Sequence, residues 1–195
     1  EMAKMISVIM NQGVDNNALY SGVDSKLTDI GDNWAKGHIN YCFTLGIIAG
    51  RGDGRFDPAA NVTGAEAAKM LLVALGYNAD VEKYNGPNWD LYVNVQANQD
   101  GLYEDLETID TGAALTRDNA AQMIWNALNA YIINKSSSID RTDGSIIDIY
   151  TKSETVDLLE KAYQAQTWIG TFTGNDKNNA ASKEGYIEVS GAIDG

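Results

Sequence analysis

Apolar side chains recur at helical spacing at Ile39, Cys42 and Leu45, and the run stops at Gly46, a residue suited to the left-handed position that ends a helix. A second apolar stretch follows Thr63, which stands three residues before Glu66. That is the spacing of a capping box, in which a hydroxyl and a carboxylate each satisfy a free helix N–H group. Between the two lies the glycine-rich run "GIIAGRGDGRFDPAANV". The pattern predicts one unit of helix, glycine-rich turn, extended loop and capped helix.

The unit repeats. The hexapeptides EMAKMI, EAAKML and NAAQMI, at residues 1–6, 66–71 and 119–124, align Met5 with Met70 and Met123, and Lys4 with Lys69 and Gln122. Trp34 precedes Gly46, and Trp89 precedes Gly101, by the same interval; Thr116 stands before Asn119 as Thr63 stands before Glu66. Residues 1–26 then hold the second half of a first repeat and a connector, residues 27–87 a second repeat, and residues 88–133 a third. A single helix pair cannot bury its apolar face, so the repeats pack together with the capped helices central. Met5, Met70 and Met123, with Ile6, Leu71 and Ile124, are the expected core.

The texture changes over residues 134–195. The run "NKSSSIDRTDGS" (134–145) reads as a polar connector, "ETVDLLEKAY" (154–163) as a short amphipathic helix, and 167–174 and 185–191 as strands. Two strands make a poor domain on their own. They are expected to pair with other chains or copies, or to belong to a larger β-containing region. The fold class is mainly α with a small α+β tail.

Composition narrows the function classes. With 195 residues, 44% hydrophobic content and two prolines, the chain can bury a globular core. No apolar run is long enough to span a bilayer, and the first ten residues lack the form of a secretion signal, which suits a mature protein or a fragment. Fourteen basic against twenty-seven acidic residues give a net charge of -13, which repels nucleic acid and anionic membrane surfaces. One cysteine and one histidine exclude an internal disulfide and a Cys/His zinc set.

Taken together, the run "LTDIGDNWAKGHINYCFTLGIIAGRGDGRFDPAANVTGAEAAKMLLVALGY" resembles an S-layer homology module. The resemblance rests on Asp29, Trp34, Ala35, Gly46, Gly50, the segment Gly52 to Pro58, and Thr63, Ala65 and Glu66. The third repeat is similar through Trp89, Gly101, Thr116 and Arg117. The resemblance implies a pseudo-threefold spindle around a central three-helix bundle. It also implies a surface protein of a Gram-positive, Firmicutes-type bacterium whose grooves bind secondary cell-wall polysaccharide, often pyruvylated. The arginine after the capping threonine is the family's main anion contact, which here means Arg117. Asp29, Trp34, Trp89, Arg51 and Gly52 are second-rank candidates. Gly64 stands where the second repeat should carry that arginine. A guanidinium at a helix start offers a carboxylate paired hydrogen bonds, and an indole face stacks on a sugar.

Other readings of the same residues are weaker. The Arg51-Gly52-Asp53 tripeptide follows from the family loop, and the run lacks both the ligand order of a calcium loop and the ending of a P-loop. His38 has no partner pattern that would make a nucleophilic triad. No catalysis, metal or cofactor is expected. The alternative to wall anchoring is self-assembly into a surface lattice or filament, with a degenerate scaffold serving protein–protein contacts.

Overall fold

A computed structural model of the chain describes residues 1–106 and 110–165, and the backbone of 168–175 and 187–193. Seven helices lie among the described residues: α1 (Met2–Met10), α2 (Asn17–Tyr20), α3 (Lys36–Thr44), α4 (Gly64–Leu75), α5 (Trp89–Gln99), α6 (Arg117–Leu128) and α7 (Leu158–Tyr163). Four strands accompany them, β1 (Tyr131–Ile139), β2 (Ile146–Asp157), β3 (Trp168–Asn175) and β4 (Ile187–Ile193). The chain is mainly helical with small antiparallel strand pairs toward its C-terminal end.

Local signals set the helix ends. The Thr63 hydroxyl accepts from the Glu66 N–H while the Glu66 carboxylate accepts from the Thr63 N–H, so both halves of the capping box form. Thr116 caps α6 through the Asn119 N–H. Gly46 closes α3 at φ 73°, and Gly101 follows α5 at φ 71°. In each turn an aliphatic amide folds back onto the preceding helix, Ile47 to the Cys42 carbonyl and Leu102 to the Ala97 carbonyl. The two repeats therefore share one turn geometry.

Helix α4 packs against α1, α5, α6 and β1. Its Leu71, Leu72 and Leu75 meet Ile6, Leu102 and Met123 in the buried core. Of the six expected core residues, Ile6, Leu71 and Met123 are fully enclosed, whereas Met5, Met70 and Ile124 are half-buried at the margin. In α1 and α4 the residue after the aligned methionine points inward; in α6 the methionine itself does. One residue is about 100° of helix rotation, so α6 is turned relative to the aligned sequence.

The start of α6 is tied to the start of α4. The Leu115 N–H donates to the Val62 carbonyl, the Ala65 N–H donates to the Thr111 carbonyl, and Thr63 forms a lone antiparallel bridge with Ala114. These bonds cross between repeats and bring the two helix starts together.

Residues 134–145 differ from the sequence expectation. In place of a connector, β1 and β2 form an antiparallel hairpin whose register runs from Tyr131 opposite Asp157 to Ile139 opposite Ile146. Only the tip is a turn. The hairpin is fastened to the helices: Ile132 and Ile133 are buried, the Asn78 amide donates to the Tyr150 hydroxyl at 2.8 Å, and Lys152 pairs with Asp100. Strand β2 runs to Asp157, so the expected helix is shortened to α7, capped by the Asp157 carboxylate. The tail strands pair with each other, β3 antiparallel to β4. Thr167 and residues 185–186, assigned to strands from sequence, lie outside the described residues. No helix among the described residues is long and apolar enough to cross a membrane.

Candidate ligand cleft

A cleft of about 610 Å³ opens where α1, the loop after α3, and the starts of α4 and α6 converge. Trp34, Arg51, Trp89 and Arg117 all line it. Four of the six residues singled out from sequence therefore share one wall system, although they come from separate repeats. Met5 and Met70 supply apolar floor, which is why they stand at the core margin.

Arg117 lies largely in solvent at the first position of α6 and engages the Glu1 carboxylate through two nitrogens, Nε at 3.1 Å and Nη2 on the other oxygen. The guanidinium holds the Glu1 carboxyl below its usual range, and Glu1 in turn raises Arg117. Arg51 is similarly engaged, with Nη1 2.7 Å from Glu66 Oε1 and Nε 3.6 Å from Asp57 Oδ2. Both arginines sit in carboxylate-binding geometry with an internal carboxylate in place.

The indoles differ in exposure. Trp34 is 58% exposed, and its carbonyl accepts from the Asn17 amide at 2.9 Å. Trp89 is half-buried at the first position of α5. Each ring has a lysine over it: Lys4 Nζ is 6.0 Å from the Trp34 ring centre, and Lys69 Nζ is 5.4 Å from that of Trp89. Sequence spacing alone does not place these lysines over the rings, although the repeat aligns Lys4 with Lys69.

Two of the six residues stand outside the cleft lining. The Asp29 carboxylate accepts from the Phe56 N–H at 2.9 Å and the Asp57 N–H at 2.8 Å, and these amides hold its carboxyl below the usual range. Asp29 therefore braces the loop that carries Arg51. Gly52, at φ 87°, shapes the turn closed by the Arg51 N–H on the Arg55 carbonyl, and a side chain added there would meet open space.

His38 has partners that sequence spacing did not reveal. Ser7 Oγ is 2.6 Å from Nδ1, and Asp15 Oδ1 is 3.5 Å from Nε2. Ser7 and His38 are both enclosed, so the contact joins α1 to α3 beneath the surface. Cys42 is likewise buried, and burial pushes its thiol up to about 12. No group of three His, Cys, Asp or Glu side chains arranged to hold a metal occurs among the described residues.

Residues 26–68 match the family model described as the S-layer homology domain. Among curated relatives, the chain is 32% identical over 143 residues to "Exoglucanase XynX" of Acetivibrio thermocellus, covering 66% of this chain and 13% of that protein. It is 41% identical over 54 residues to "Cell surface protein" of Thermoanaerobacter kivui, covering 27% of this chain and 7% of the relative. It is 26% identical over 129 residues to "Middle cell wall protein" of Brevibacillus brevis, covering 66% and 12%. The matched stretches thus span a small fraction of each relative. No solved structure matches the chain.

Proposed function

Residues 26–68 are an S-layer homology domain, and from that premise we propose that this cell-surface chain anchors the protein carrying it to secondary cell-wall polysaccharide. The observation that carries the reading is the cleft itself, in which two guanidinium groups and two indole rings from different repeats converge. Guanidinium suits an acidic substituent, such as the carboxylate of a pyruvylated sugar, and indole suits a sugar face. The chain acts by binding and not by catalysis. In this reading α1, α4 and α6 form the central bundle of a pseudo-threefold spindle.

With Gly64 in the second repeat, the arginine duty falls to Arg117. The net charge of -13 opposes an anionic polymer at long range, so recognition is short-ranged and weakens as salt rises. Sedimentation with purified Gram-positive sacculi, with and without their polysaccharide extracted, tests the reading. The wild-type chain pellets with intact sacculi only, and Arg117→Ala stays in the supernatant. Equal pelleting of wild type and Arg117→Ala, or no pelleting by either, overturns it.

A second reading, self-assembly into a surface lattice, draws on the hairpin tip, where Ile139 and Ile146 are 70% and 75% exposed. Ordered oligomers formed without wall material, and lost on Ile139→Ser, would favour it over anchoring.

A further inference from the structure

We propose that Lys69 is a specificity-determining residue of the cleft: with Trp89 it forms a composite subsite that reads the acidic group of a sugar packed beside the indole. This rests on the anchoring reading above. The two arginines of the cleft are already paired with carboxylates, Arg117 with Glu1 and Arg51 with Glu66 and Asp57. An incoming anion must compete with those partners for either guanidinium. Lys69 also lines the cleft, but it forms no ion pair with a carboxylate among the described residues.

Its ammonium is held by a neutral group. Lys69 Nζ donates to Asn85 Oδ1 at 2.8 Å, and the Asn85 amide donates to Asp80 Oδ1 at 2.8 Å, so Asp80 is linked to the ammonium only through Asn85. The side chain is half-buried on α4 with Nζ 5.4 Å from the Trp89 ring centre. Fixed this way, the charge needs little rearrangement to meet a ligand, and partial exclusion of water strengthens its attraction to an anion. Burial lowers the Lys69 ammonium from its ordinary range, with Asp80 opposing.

The equivalent lysine of the preceding repeat supplies the contrast. Lys4 stands over Trp34 in the same arrangement, but Asp15 lies 3.8 Å from its ammonium. The repeat thus builds the lysine–indole pair twice, and the chain leaves one of the two with its charge free for a ligand. At the Gly64 repeat the arginine after the capping threonine is missing, and the cation on the same helix is Lys69.

Binding to polysaccharide-bearing sacculi, untreated or with their carboxyl groups reduced to alcohols, tests the assignment. Lys69→Met keeps the aliphatic stem against Trp89 and removes the charge. It weakens binding to untreated sacculi by about tenfold or more, on the scale of one hydrogen bond to a charged group; Lys69→Arg restores most of it, and Lys4→Met changes little. On carboxyl-reduced sacculi, wild type and Lys69→Met bind alike. Unchanged binding of a folded Lys69→Met to untreated sacculi overturns the assignment, as does a loss of equal size on reduced sacculi. If Arg117→Ala abolishes pelleting while Lys69→Met does not weaken it, anchoring stands and only the role of Lys69 falls. If wild type itself does not pellet, both fall.

Discussion

His38 shows how burial turns a single side chain into a pH-dependent brace. It is enclosed between α1 and α3, with Ser7 at Nδ1, Asp15 at Nε2 and Lys4 nearby. Burial lowers its affinity for a proton below the ordinary value of 6.5, with Asp15 opposing and Lys4 assisting. The unfolded chain therefore takes up a proton that the folded chain resists. The stability tied to neutral His38 is complete above pH 6.5 and is lost as pH falls below it. Urea midpoints of the wild type should drop between pH 7.5 and 5.5 by more than those of His38→Gln. Because the chain has one histidine, proton NMR of its ring reads the folded titration directly. A titration at or above the ordinary histidine value would sink this account.

At the scale of elements, α2 and α3 meet at a close joint. A Cβ at Gly37 would lie 1.8 Å from the Asn17 carbonyl oxygen, and Asn17 Oδ1 accepts from the Gly37 N–H at 2.9 Å. Helix propensity alone favours alanine over glycine by about 1 kcal/mol. Moving the backbone of α2 away would strain that hydrogen bond. Gly37→Ala is expected to destabilise the fold by about 1–3 kcal/mol, the range for overpacking. Equilibrium urea unfolding checks this, and a neutral or stabilised variant would show that the close approach does not constrain the fold.

For the whole molecule, the hairpin and α7 are part of the helical body. Leu158 is 2% exposed and its N–H donates to the Ala130 carbonyl, so the chain returns from β2 to close the base of α6. Leu158→Ala should cost about 2–5 kcal/mol, as large-to-small core substitutions do. If calorimetry instead finds the main transition unmoved, the segment after β1 is not coupled to the helices. The cleft lies at the starts of α4 and α6, away from this seam, so sacculus binding by a folded Leu158→Ala protein should be retained.

What could be read from the sequence was local. Helix starts at Thr63 and Thr116, the turns at Gly46 and Gly101, and the repeat that relates them follow from backbone preferences and apolar spacing within a few residues. The strand at Tyr131–Ile139 was missed because its serine-rich run carries little apolar alternation; its register is fixed by β2 and by the burial of Ile132 and Ile133 against the core. The candidate site was legible only as a set of residue types. Sequence alone named Arg117, Arg51, Trp34 and Trp89, but not that Glu1 would meet Arg117 from 116 residues away, nor that Lys69 would cover Trp89. Asp29 is a second-rank ligand candidate from the resemblance, and in the fold its carboxylate accepts from the amides of Phe56 and Asp57. Those outcomes depend on how far each helix is rotated and where the repeats abut. Both are set by side-chain packing across the core, which short-range preferences along the chain do not encode.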